Sequence, residues 1–479
     1  MSAKPPRHKL RVGERITLEP DCLVAGGEAL GRLDGLPVFV PFAVPGDRLQ
    51  ARVISTKPDY ARALITTVET PGTDRQDPPC PVFGQCGGCQ WQMLGPAAQL
   101  RWKTRLVGEA LQRTGGFGPD TLVAPCLPSP EIWHYRNKVH WAIAKPGTQW
   151  ELGLYEARSH SVVMTSACAI QHPRLNAVQQ ALKEVLPMLD LSPYDERRGT
   201  GFLRSAFAKV GHRTGALMVG LVTREAAFPQ GPALVAALRE RLPDVHSIVQ
   251  NVHPGVGNKL LGPRNLVLDG AEAIEETLAV SPERAPLRLS ISPLAFFQVN
   301  GAAVEVLYDQ VARACGLPPE PSAQRVPSLI VDAYSGTGAI AMFLAARGAP
   351  RVVGIEVVAE ATRDAERGAS NNGLTERCRF KTGKVEDLLA GVLAAAPGDT
   401  LVVLDPPRKG CEESVLQCLL QARPSVIVYV SCHPVTLARD LKRLAAGGYV
   451  LESVQPVDMF PQTAHVECVV RLRAVDAPV

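Results

Sequence analysis

From about Val299 onward, short apolar runs alternate with helix-forming stretches, and this alternation restricts the fold more than any other feature of the sequence. Strands separated by helices form βαβ units, whose strands pair into a mostly parallel sheet. The clearest unit reads SLIVDA for a buried strand, AIAMFLAARG for a helix and RVVGIEV for the next strand. We therefore predict an α/β domain over residues 299–479.

A turn with two glycines joins the first strand of this unit to its helix. Gly336 and Gly338 let the backbone approach a ligand closely, because they carry no side chain. Glu356 ends the next strand, where a carboxylate can accept hydrogen bonds from both hydroxyls of a ribose. The third glycine of the dinucleotide motif G-x-G-x-x-G is absent, so a nucleoside without a pyrophosphate fits better. The pattern indicates S-adenosylmethionine.

Polar residues follow the ends of four predicted parallel strands and should meet at one edge of the sheet. They are Tyr334, Glu356, Asp405 and Cys432. The last predicted strand, HVECVVRLR, follows its predecessor after a short connection and should run antiparallel to it. Its first residues, His465 and Glu467, therefore reach the same edge. One crevice can collect a nucleoside, a thiol and a carboxylate.

A thiol and a carboxylate beside a methyl donor suit the methylation of a carbon that is not nucleophilic by itself, such as C5 of uracil. A cysteine thiolate can add to C6 and make C5 nucleophilic, and a base can then remove the C5 proton. We predict that Cys432 is the nucleophile and that Glu467 is the base.

Six segments resemble the RNA uracil-C5 methyltransferases of the TrmA/RlmD (RumA) type: SCHPVTLARD, DPPRKG, DAYSGTG, GIEVV, FFQVN and FPQTAHVE. The resemblance extends from about Arg11 to Arg473. It implies a class I methyltransferase domain, with a Rossmann-like, seven-stranded sheet whose last strand is antiparallel. It also implies catalytic roles for Cys432 and Glu467. The implied contacts to S-adenosylmethionine are Gln298, Tyr334, Glu356 and Asp405.

Three positions depart from the family pattern. Ser335 stands where the cofactor turn usually carries a cysteine, and His433 replaces the common asparagine after the nucleophile. Lys384 lies where an acid or an amide often meets the adenine. None of the three removes a catalytic group, but Lys384 changes the expected adenine contact.

The sequence has 12 cysteines, and three of them form a spaced cluster, Cys80-x5-Cys86-x2-Cys89. A reducing compartment does not favour a disulfide framework, so this spacing predicts a metal site. Spacing alone does not separate zinc from iron–sulfur, because both accept four thiolates. The resemblance to the RlmD branch implies a [4Fe–4S] cluster held by these three residues and Cys168.

The N-terminal region, residues 11–70, reads as short strands between turn signals and predicts a small antiparallel barrel. It resembles a TRAM domain, an OB-like barrel that binds RNA. Phe296, Phe297 and Phe460 are candidates for stacking on the target base or its neighbours. The predicted phosphate contacts of the barrel are Arg32, Arg48, Arg52, Lys57 and Arg62. The predicted domains are 1–70 (TRAM-like), 71–298 (a central α+β domain with the cysteine motif) and 299–479 (methyltransferase).

The expected partner is RNA, with 23S ribosomal RNA as the substrate and transfer RNA as the alternative within the family. No apolar run reaches the ~18 residues needed to cross a bilayer, and the first residues lack the apolar core of a secretory signal. We therefore expect a cytoplasmic protein with no membrane partner, acting as a monomer. The net charge of +4 does not by itself indicate nucleic acid.

Two functions outside the family stay open at this stage. A DPP motif after a strand also serves methylation of exocyclic amines, although that chemistry prefers an aromatic residue where Arg408 stands. It also has no use for Cys432. A non-enzymatic RNA-binding iron–sulfur protein is the second alternative, and such a protein would not bind S-adenosylmethionine.

Overall fold

The computed structural model describes residues 10–147, 149–157, 159, 161–165, 167–255, 259–317, 326–396 and 399–475. Within these ranges, no helix has both the length and the apolar character that crossing a bilayer requires. Three larger sheets and a hairpin follow one another along the chain.

Residues 15–70 form a barrel-like sheet in the order β1-β5-β6-β4-β3-β2. Neighbouring strands pair antiparallel except β4 and β6, which pair parallel, so the prediction of a purely antiparallel barrel is wrong at that pair. Pro20 separates the first two strands, because it lacks the N–H that would continue the ladder. The strands are β1 (Arg15–Leu18), β2 (Cys22–Leu23), β3 (Ala29–Leu33), β4 (Leu36–Val40), β5 (Arg48–Thr56) and β6 (Ala61–Thr70).

A helix, α1 (Pro96–Ala110), leads into the central sheet through a π-helical turn, Leu111–Gly115. The sheet has the order β13-β12-β11-β10-β7-β8-β9, and two helices pack on one face of it. Its strands and helices are β7 (Lys138–Ala144), β8 (Glu151–Tyr155), β9 (Val162–Met164), α2 (Pro173–Val185) with a 3-10 turn (Leu186–Met188), β10 (Leu203–Val210), β11 (Leu217–Thr223), α3 (Gly231–Arg241), β12 (Val245–Val252) and β13 (Arg264–Gly270). A hairpin follows, formed by β14 (Ile274–Leu278) and β15 (Leu287–Ile291).

The C-terminal sheet has the order β18-β17-β16-β19-β20-β22-β21, with helices on both faces. The predicted antiparallel last strand is confirmed: β22 lies between β20 and β21 and pairs antiparallel with both. The elements are α4 (Gly301–Ala314), β16 (Leu329–Ala333), α5 (Ala339–Ala346), β17 (Val352–Glu356), α6 (Ala359–Asn371), β18 (Cys378–Thr382), α7 (Val385–Ala394), β19 (Thr400–Leu404), α8 (Glu413–Ala422), β20 (Val426–Ser431), α9 (Pro434–Ala446), β21 (Tyr449–Val457) and β22 (Glu467–Ala474). This is the α/β methyltransferase fold that the sequence predicts.

A buried carboxyl group supports the start of α5, the helix that follows the glycine turn. The N-cap residue of α5 is Gly338, which has no side chain to accept a hydrogen bond from the first turn. Asp332, fully buried in β16, accepts that hydrogen bond from the N–H of Ala341 at 3.1 Å. Burial and the nearby carboxylates of Asp405 and Glu356 raise the pKa of Asp332 well above its usual value. The orientation of α5 therefore depends on a residue that the sequence analysis did not single out.

Candidate active site

The pairing register of the sheet brings the predicted nucleophile and base together. Ser431, at the end of β20, lies opposite Cys468 in β22. Cys432 directly follows Ser431 and Glu467 directly precedes Cys468, so both lie next to this pair, and the charge of Glu467 acts on the Cys432 thiol. Glu467 is only 2% exposed, and Cys432 is half-buried. A thiol that remains accessible and an enclosed carboxyl group thus share one strand end.

A third acidic group, Asp405, lies at the end of the neighbouring strand, β19. Burial raises the pKa of Asp405 to about 7. Burial and the charge of Asp405 raise the pKa of Glu467 well above its usual value. Burial, followed by the charges of these two carboxyl groups, raises the pKa of the Cys432 thiol to about 11. The resting thiol is therefore protonated at neutral pH, and its ionisation needs a positive charge nearby.

Arg408 supplies a positive charge at this position. Its charge lowers the pKa of both Cys432 and Glu467. Its backbone carbonyl accepts a hydrogen bond from Thr436 Oγ1 at 3.1 Å, which fixes the loop after the two prolines against α9. Arg408 was not among the site residues predicted from the sequence, where it only disfavours amine methylation. The sequence signal that could have placed Arg408 in the site is a cationic residue directly after a DPP motif at the end of a strand.

His465 contacts Arg408 and Phe460 in the site. Arg408 Nη2 lies 3.2 Å from each ring nitrogen of His465. Burial, and then the charges of Arg408 and Lys103, lower the pKa of His465 to about 4, so the imidazole is neutral at physiological pH. Phe460 packs edge-on against this ring, with 5.9 Å between centroids.

A cleft of about 980 Å³ opens from these residues toward the central sheet and toward the loop that carries Cys80, Cys86 and Cys89 (the cysteine loop). The residues at its wall include Phe460 and His465 on one side and Gly87, Gly88 and Cys168 on another. Four of its lining side chains are cationic: Arg136, Arg204, Lys259 and Arg408. A groove that combines cations with an aromatic side chain is typical of sites for single-stranded nucleic acid.

The glycine turn between β16 and α5 has a strained, left-handed backbone. Tyr334, Gly336 and Gly338 all have positive φ angles, of 68°, 53° and 72°. A Cβ atom at position 338 would lie 2.7 Å from the ring of Phe380, so only glycine fits there. Tyr334 is not a glycine, and such strain in a bulky residue is concentrated at ligand-binding and active sites.

Glu356 contacts this turn directly, and Gln298 lies two residues after Phe296, whose carbonyl borders it. Glu356 accepts hydrogen bonds from the N–H of Gly336 at 2.9 Å and from that of Val358 at 2.7 Å, one at each carboxylate oxygen. Each oxygen keeps a further lone pair for a ligand hydroxyl. Gln298 is 5% exposed, and its backbone carbonyl accepts a hydrogen bond from Asn137 Nδ2 at 3.1 Å. Of the four predicted cofactor contacts, Tyr334 belongs to the glycine turn and Glu356 is hydrogen-bonded to it.

The structure separates the three aromatic candidates. Phe297 is buried in the hydrophobic core, so it is not a stacking residue. Phe296 is 57% exposed, and its carbonyl oxygen borders the glycine turn at Gly336. Phe460 lines the cleft. Lys384 lies exposed at the start of α7, next to Gly383, whose N–H donates to the carbonyl of Glu356 at 2.8 Å.

Three of the four predicted metal ligands come from one short loop, and Cys168, from a later part of the chain, lies near them. Burial raises the pKa of Cys86, Cys89 and Cys168, and neighbouring thiols in the group, including Cys80, raise it further. In the described part of the chain, no three His, Cys, Asp or Glu side chains are arranged to hold a metal ion. Four thiolates are nevertheless the donor set of a [4Fe–4S] cluster, which is wider than a single ion. The donor chemistry therefore fits a cluster.

Two of the five predicted phosphate contacts of the barrel already form ion pairs within the protein. Arg48 forms ion pairs with Glu19 at 2.8 Å and Glu69 at 3.1 Å, and Arg62 pairs with Glu28. Their charges are thus largely neutralised within the protein. The other three, Arg32, Arg52 and Lys57, are exposed, and no ion pair of theirs occurs among the described residues. Arg52 also stands directly opposite Arg15 across β1 and β5, so an anion between them would relieve their repulsion.

Two family models match the chain, at its two ends. The model described as tRNA (Uracil-5-)-methyltransferase matches residues 392–475, which include Asp405, Cys432 and Glu467. The TRAM domain model matches residues 12–66, the barrel. The uracil-methylating chemistry and the barrel that the sequence predicts thus both have counterparts in known families.

Relatives and a solved structure cover nearly the whole chain. A protein of Halalkalibacterium halodurans named as an uncharacterized RNA methyltransferase is 38% identical over 96% of each chain. One of Gloeobacter violaceus with the same description is 39% identical, again over 96% of each chain. The structure of Pyrococcus abyssi tRNA (uracil-54, C5)-methyltransferase in complex with S-adenosyl-L-homocysteine is 28% identical, with a TM-score of 0.72, over 95% of this chain and 99% of that one. The chain therefore belongs to the RNA (uracil-5-)-methyltransferase family, whose reaction depends on S-adenosylmethionine.

Proposed function

We propose that the chain methylates C5 of a uridine in 23S ribosomal RNA through a covalent bond between Cys432 Sγ and C6 of the uracil. The observation that carries this proposal is the pairing of Ser431 with Cys468 between β20 and β22, because Cys432 directly follows the first and Glu467 directly precedes the second, and the charge of Glu467 acts on the Cys432 thiol. Amine methylation uses no such thiol, and a protein that only binds RNA needs neither group.

The proposed reaction has four steps. The Cys432 thiolate adds to C6, and the electron pair of the C5–C6 double bond moves toward C5 and O4. C5 then forms a bond to the sulfonium methyl group of S-adenosylmethionine. The bond between that methyl group and sulfur breaks, and S-adenosylhomocysteine is released. Glu467 as carboxylate removes the remaining proton from C5. The double bond re-forms as the C6–S bond breaks, which returns the thiolate of Cys432.

The charges at the strand ends assist these steps. Arg408 favours the thiolate of Cys432, because its charge lowers the pKa of that thiol. Asp405 and Glu467 raise each other's affinity for protons when both are buried, so the pair can hold one proton while the other carboxylate stays charged. A cationic sulfonium at the crevice would lower all three pKa values further. S-adenosylmethionine thereby supplies the charge as well as the methyl group.

Four residues are proposed to hold S-adenosylmethionine: Gln298, Tyr334, Glu356 and Asp405. The carboxylate of Glu356 is fixed by two backbone N–H groups and still has lone pairs to accept from the ribose hydroxyls. The cluster cysteines Cys80, Cys86, Cys89 and Cys168 are proposed to hold a [4Fe–4S] cluster. Methyl transfer needs no electrons, so the cluster is proposed to support the structure or the binding of RNA.

Two RNA classes are candidates for the substrate. The cysteine set favours ribosomal RNA, by resemblance to the RlmD branch. Transfer RNA is the second candidate, because the Pyrococcus abyssi neighbour that covers 95% of this chain is named for a transfer-RNA uridine. We expect the purified protein and labelled S-adenosylmethionine to label a 23S transcript and leave unmodified transfer RNA unlabelled. Nuclease digestion and mass spectrometry would locate 5-methyluridine, and label confined to transfer RNA would overturn the ribosomal assignment.

Alkylation of Cys432 should follow the electrostatics of the site. The pKa of its thiol is raised to about 11, so the thiolate fraction, and with it the rate of reaction with iodoacetamide, should rise about tenfold per pH unit from pH 7 to 9. Arg408→Gln removes the cation that favours the thiolate and should slow alkylation at pH 8. Mass spectrometry of the peptide that contains Cys432 measures the rate.

The matched control for this experiment is Lys409→Gln, which removes the next cation along the chain, one that pairs with Glu412 at the surface. Its alkylation profile should match that of the unmodified sequence. A profile that levels off below pH 9 would show that the thiol is not held protonated by its surroundings. Equal rates in the Arg408 and Lys409 variants would remove Arg408 from the account.

Binding of RNA by the barrel should depend on Arg52 and not on Arg48. Both arginines are exposed on β5, but Arg48 is paired with two glutamates while Arg52 faces Arg15. Arg52→Gln should weaken RNA binding and reduce the slope of log affinity against log salt concentration by about one, as expected for the loss of one phosphate contact. Fluorescence anisotropy over a salt series would measure both. A larger loss for Arg48→Gln would place the RNA elsewhere on the barrel.

A further inference from the structure

The loop between β21 and β22, residues 458–466, carries Phe460 and His465 and leads directly into Glu467. Gln462 lies at its centre, 1% exposed and with a φ angle of +69°. A non-glycine residue adopts this conformation only when its surroundings hold it there. The contacts of Gln462 therefore determine where this loop can lie.

The backbone of Gln462 is bonded to the cysteine loop. Its carbonyl oxygen accepts hydrogen bonds from the N–H of Gln90 at 3.1 Å and from that of Trp91 at 2.9 Å. Gln90 directly follows Cys89, one of the four proposed cluster ligands. The last cysteine of the motif is thus one residue away from a direct hydrogen bond to the active-site loop.

A buried glutamine of α1 bonds to both segments at once. Gln99, 2% exposed, accepts from the N–H of Gln462 at 2.9 Å and donates to Gln462 Oε1 at 3.1 Å. The same amide group donates to the carbonyl of Trp91 at 3.1 Å and to that of Leu94 at 2.8 Å. Because the amide of Gln99 contacts four groups, with its two N–H bonds shared among three acceptors, a shift of the cysteine loop must move or break its bonds to Gln462.

Further contacts fix both sides of the loop. Lys103, fully buried on α1, donates to Asp458 Oδ1 at 2.5 Å and to the carbonyl of Phe460 at 3.0 Å. Tyr135 Oη donates to the carbonyl of Pro461 at 2.9 Å. The glycine turn lies outside this network, since its N–H groups donate to Ile355 and Glu356. No hydrogen bond joins the glycine turn to this loop among the described residues, whereas Asn300, two positions after Gln298, donates from Nδ2 to the carbonyl of Met459 at 3.2 Å.

We propose that Gln99 and Gln462 are positioning residues that couple the fold of the cysteine loop to the placement of Phe460, His465 and Glu467. The coupling rests on the proposed function, because it concerns the RNA side of the same site. Loss of order in the cysteine loop disorders the loop of residues 458–466 and impairs the reaction on RNA. Binding of the methyl donor is unaffected. The cysteine site thereby supports catalysis without electron transfer.

The test uses Gln99→Met, which keeps the volume of the side chain and removes its amide, with Gln180→Met on the exposed face of α2 as the control. We expect amide exchange in residues 459–466 to accelerate in Gln99→Met and not in the control. The kcat/KM for RNA should fall about 10- to 100-fold, as for a displaced active-site group, while calorimetry gives an S-adenosylhomocysteine affinity within about twofold of normal. Gln462→Asn tolerates the left-handed backbone but has a shorter amide, and it should show the same pattern.

A third variant, Cys89→Ser, examines the other end of the coupling. Its amide exchange should accelerate in residues 459–466 as well as around the substituted cysteine. Unchanged exchange of residues 459–466 in Gln99→Met or in Cys89→Ser would overturn the coupling, as would a parallel loss of S-adenosylhomocysteine binding. Failure of the proposed function looks different: the unsubstituted protein would not methylate RNA, while the exchange pattern of the variants could still follow the coupling.

Discussion

Replacing Cys432 by alanine is expected to abolish methyl transfer to RNA and to leave binding of S-adenosylhomocysteine intact. The nucleophile is lost, and uracil C5 does not attack a sulfonium methyl without addition at C6. The expected loss is at least about 10⁴-fold in kcat/KM, the scale found when a covalent nucleophile is removed. Incorporation of labelled methyl groups into RNA measures activity, and calorimetry measures cofactor binding.

The control for this variant is Cys418→Ala, which removes a half-buried thiol from α8. It should retain normal activity, since Cys418 lies outside the site. Methyl transfer by Cys432→Ala at more than a few per cent of the normal rate would contradict the covalent route. It would return amine methylation to consideration.

Replacing Glu467 by glutamine should stop the reaction one step later. Cys432 can still add to C6, and C5 can still take the methyl group, but no base then removes the C5 proton. The methylated RNA should therefore stay bound to the protein. Turnover is expected to fall about 10²- to 10⁴-fold, the usual contribution of a positioned base. A denaturing gel with labelled S-adenosylmethionine should show a protein–RNA band.

Glu366→Gln, an exposed position on α6, is the control and should turn over normally without a trapped band. The variant Asp405→Asn tests which of the two carboxyl groups at the strand ends, Asp405 or Glu467, acts as the base. If Asp405→Asn traps the adduct and Glu467→Gln does not, then Asp405 is the base. In that case the pKa that burial raises to about 7 belongs to the catalytic group.

The main residues of this site could be predicted from the sequence, because the ends of buried parallel strands can be recognised in it. A buried apolar run followed by a polar residue marks the carboxyl end of a parallel strand, and four such ends place Tyr334, Glu356, Asp405 and Cys432 on one edge. The short connection before β22 predicts its reversed direction, which brings Glu467 to them. The fold and the meeting of thiol and carboxylate were therefore predictable.

Other parts of the site depend on contacts between segments far apart in the chain. Gln99 and Gln462 are 363 positions apart, and no local pattern marks them as partners. The ion pairs that neutralise Arg48 and Arg62 likewise depend on strand pairing, so a count of arginines overestimates the phosphate footprint. Burial decides that Phe297 belongs to the core, although Phe296, its neighbour, is exposed.

The pKa values of the buried carboxyl groups could not be predicted from the sequence either. An isolated aspartate at a strand end is charged at neutral pH, whereas burial raises the pKa of Asp405 to about 7. Asp332 reads as one polar residue in an apolar strand, and only the fold shows that it takes the place of a missing cap at Gly338. Such effects arise from the packing of several elements around one group.

The covalent role of Cys432 is tested most directly with RNA that carries 5-fluorouridine at the methylated position. Fluorine at C5 cannot leave as a cation, so no base can complete the reaction and the adduct persists. After incubation with S-adenosylmethionine and digestion, we expect the peptide that contains Cys432 to carry the mass of a methylated fluorouridine nucleotide. Methylation of the normal RNA together with no adduct on the fluorinated RNA, or an adduct on a different cysteine, would contradict the account.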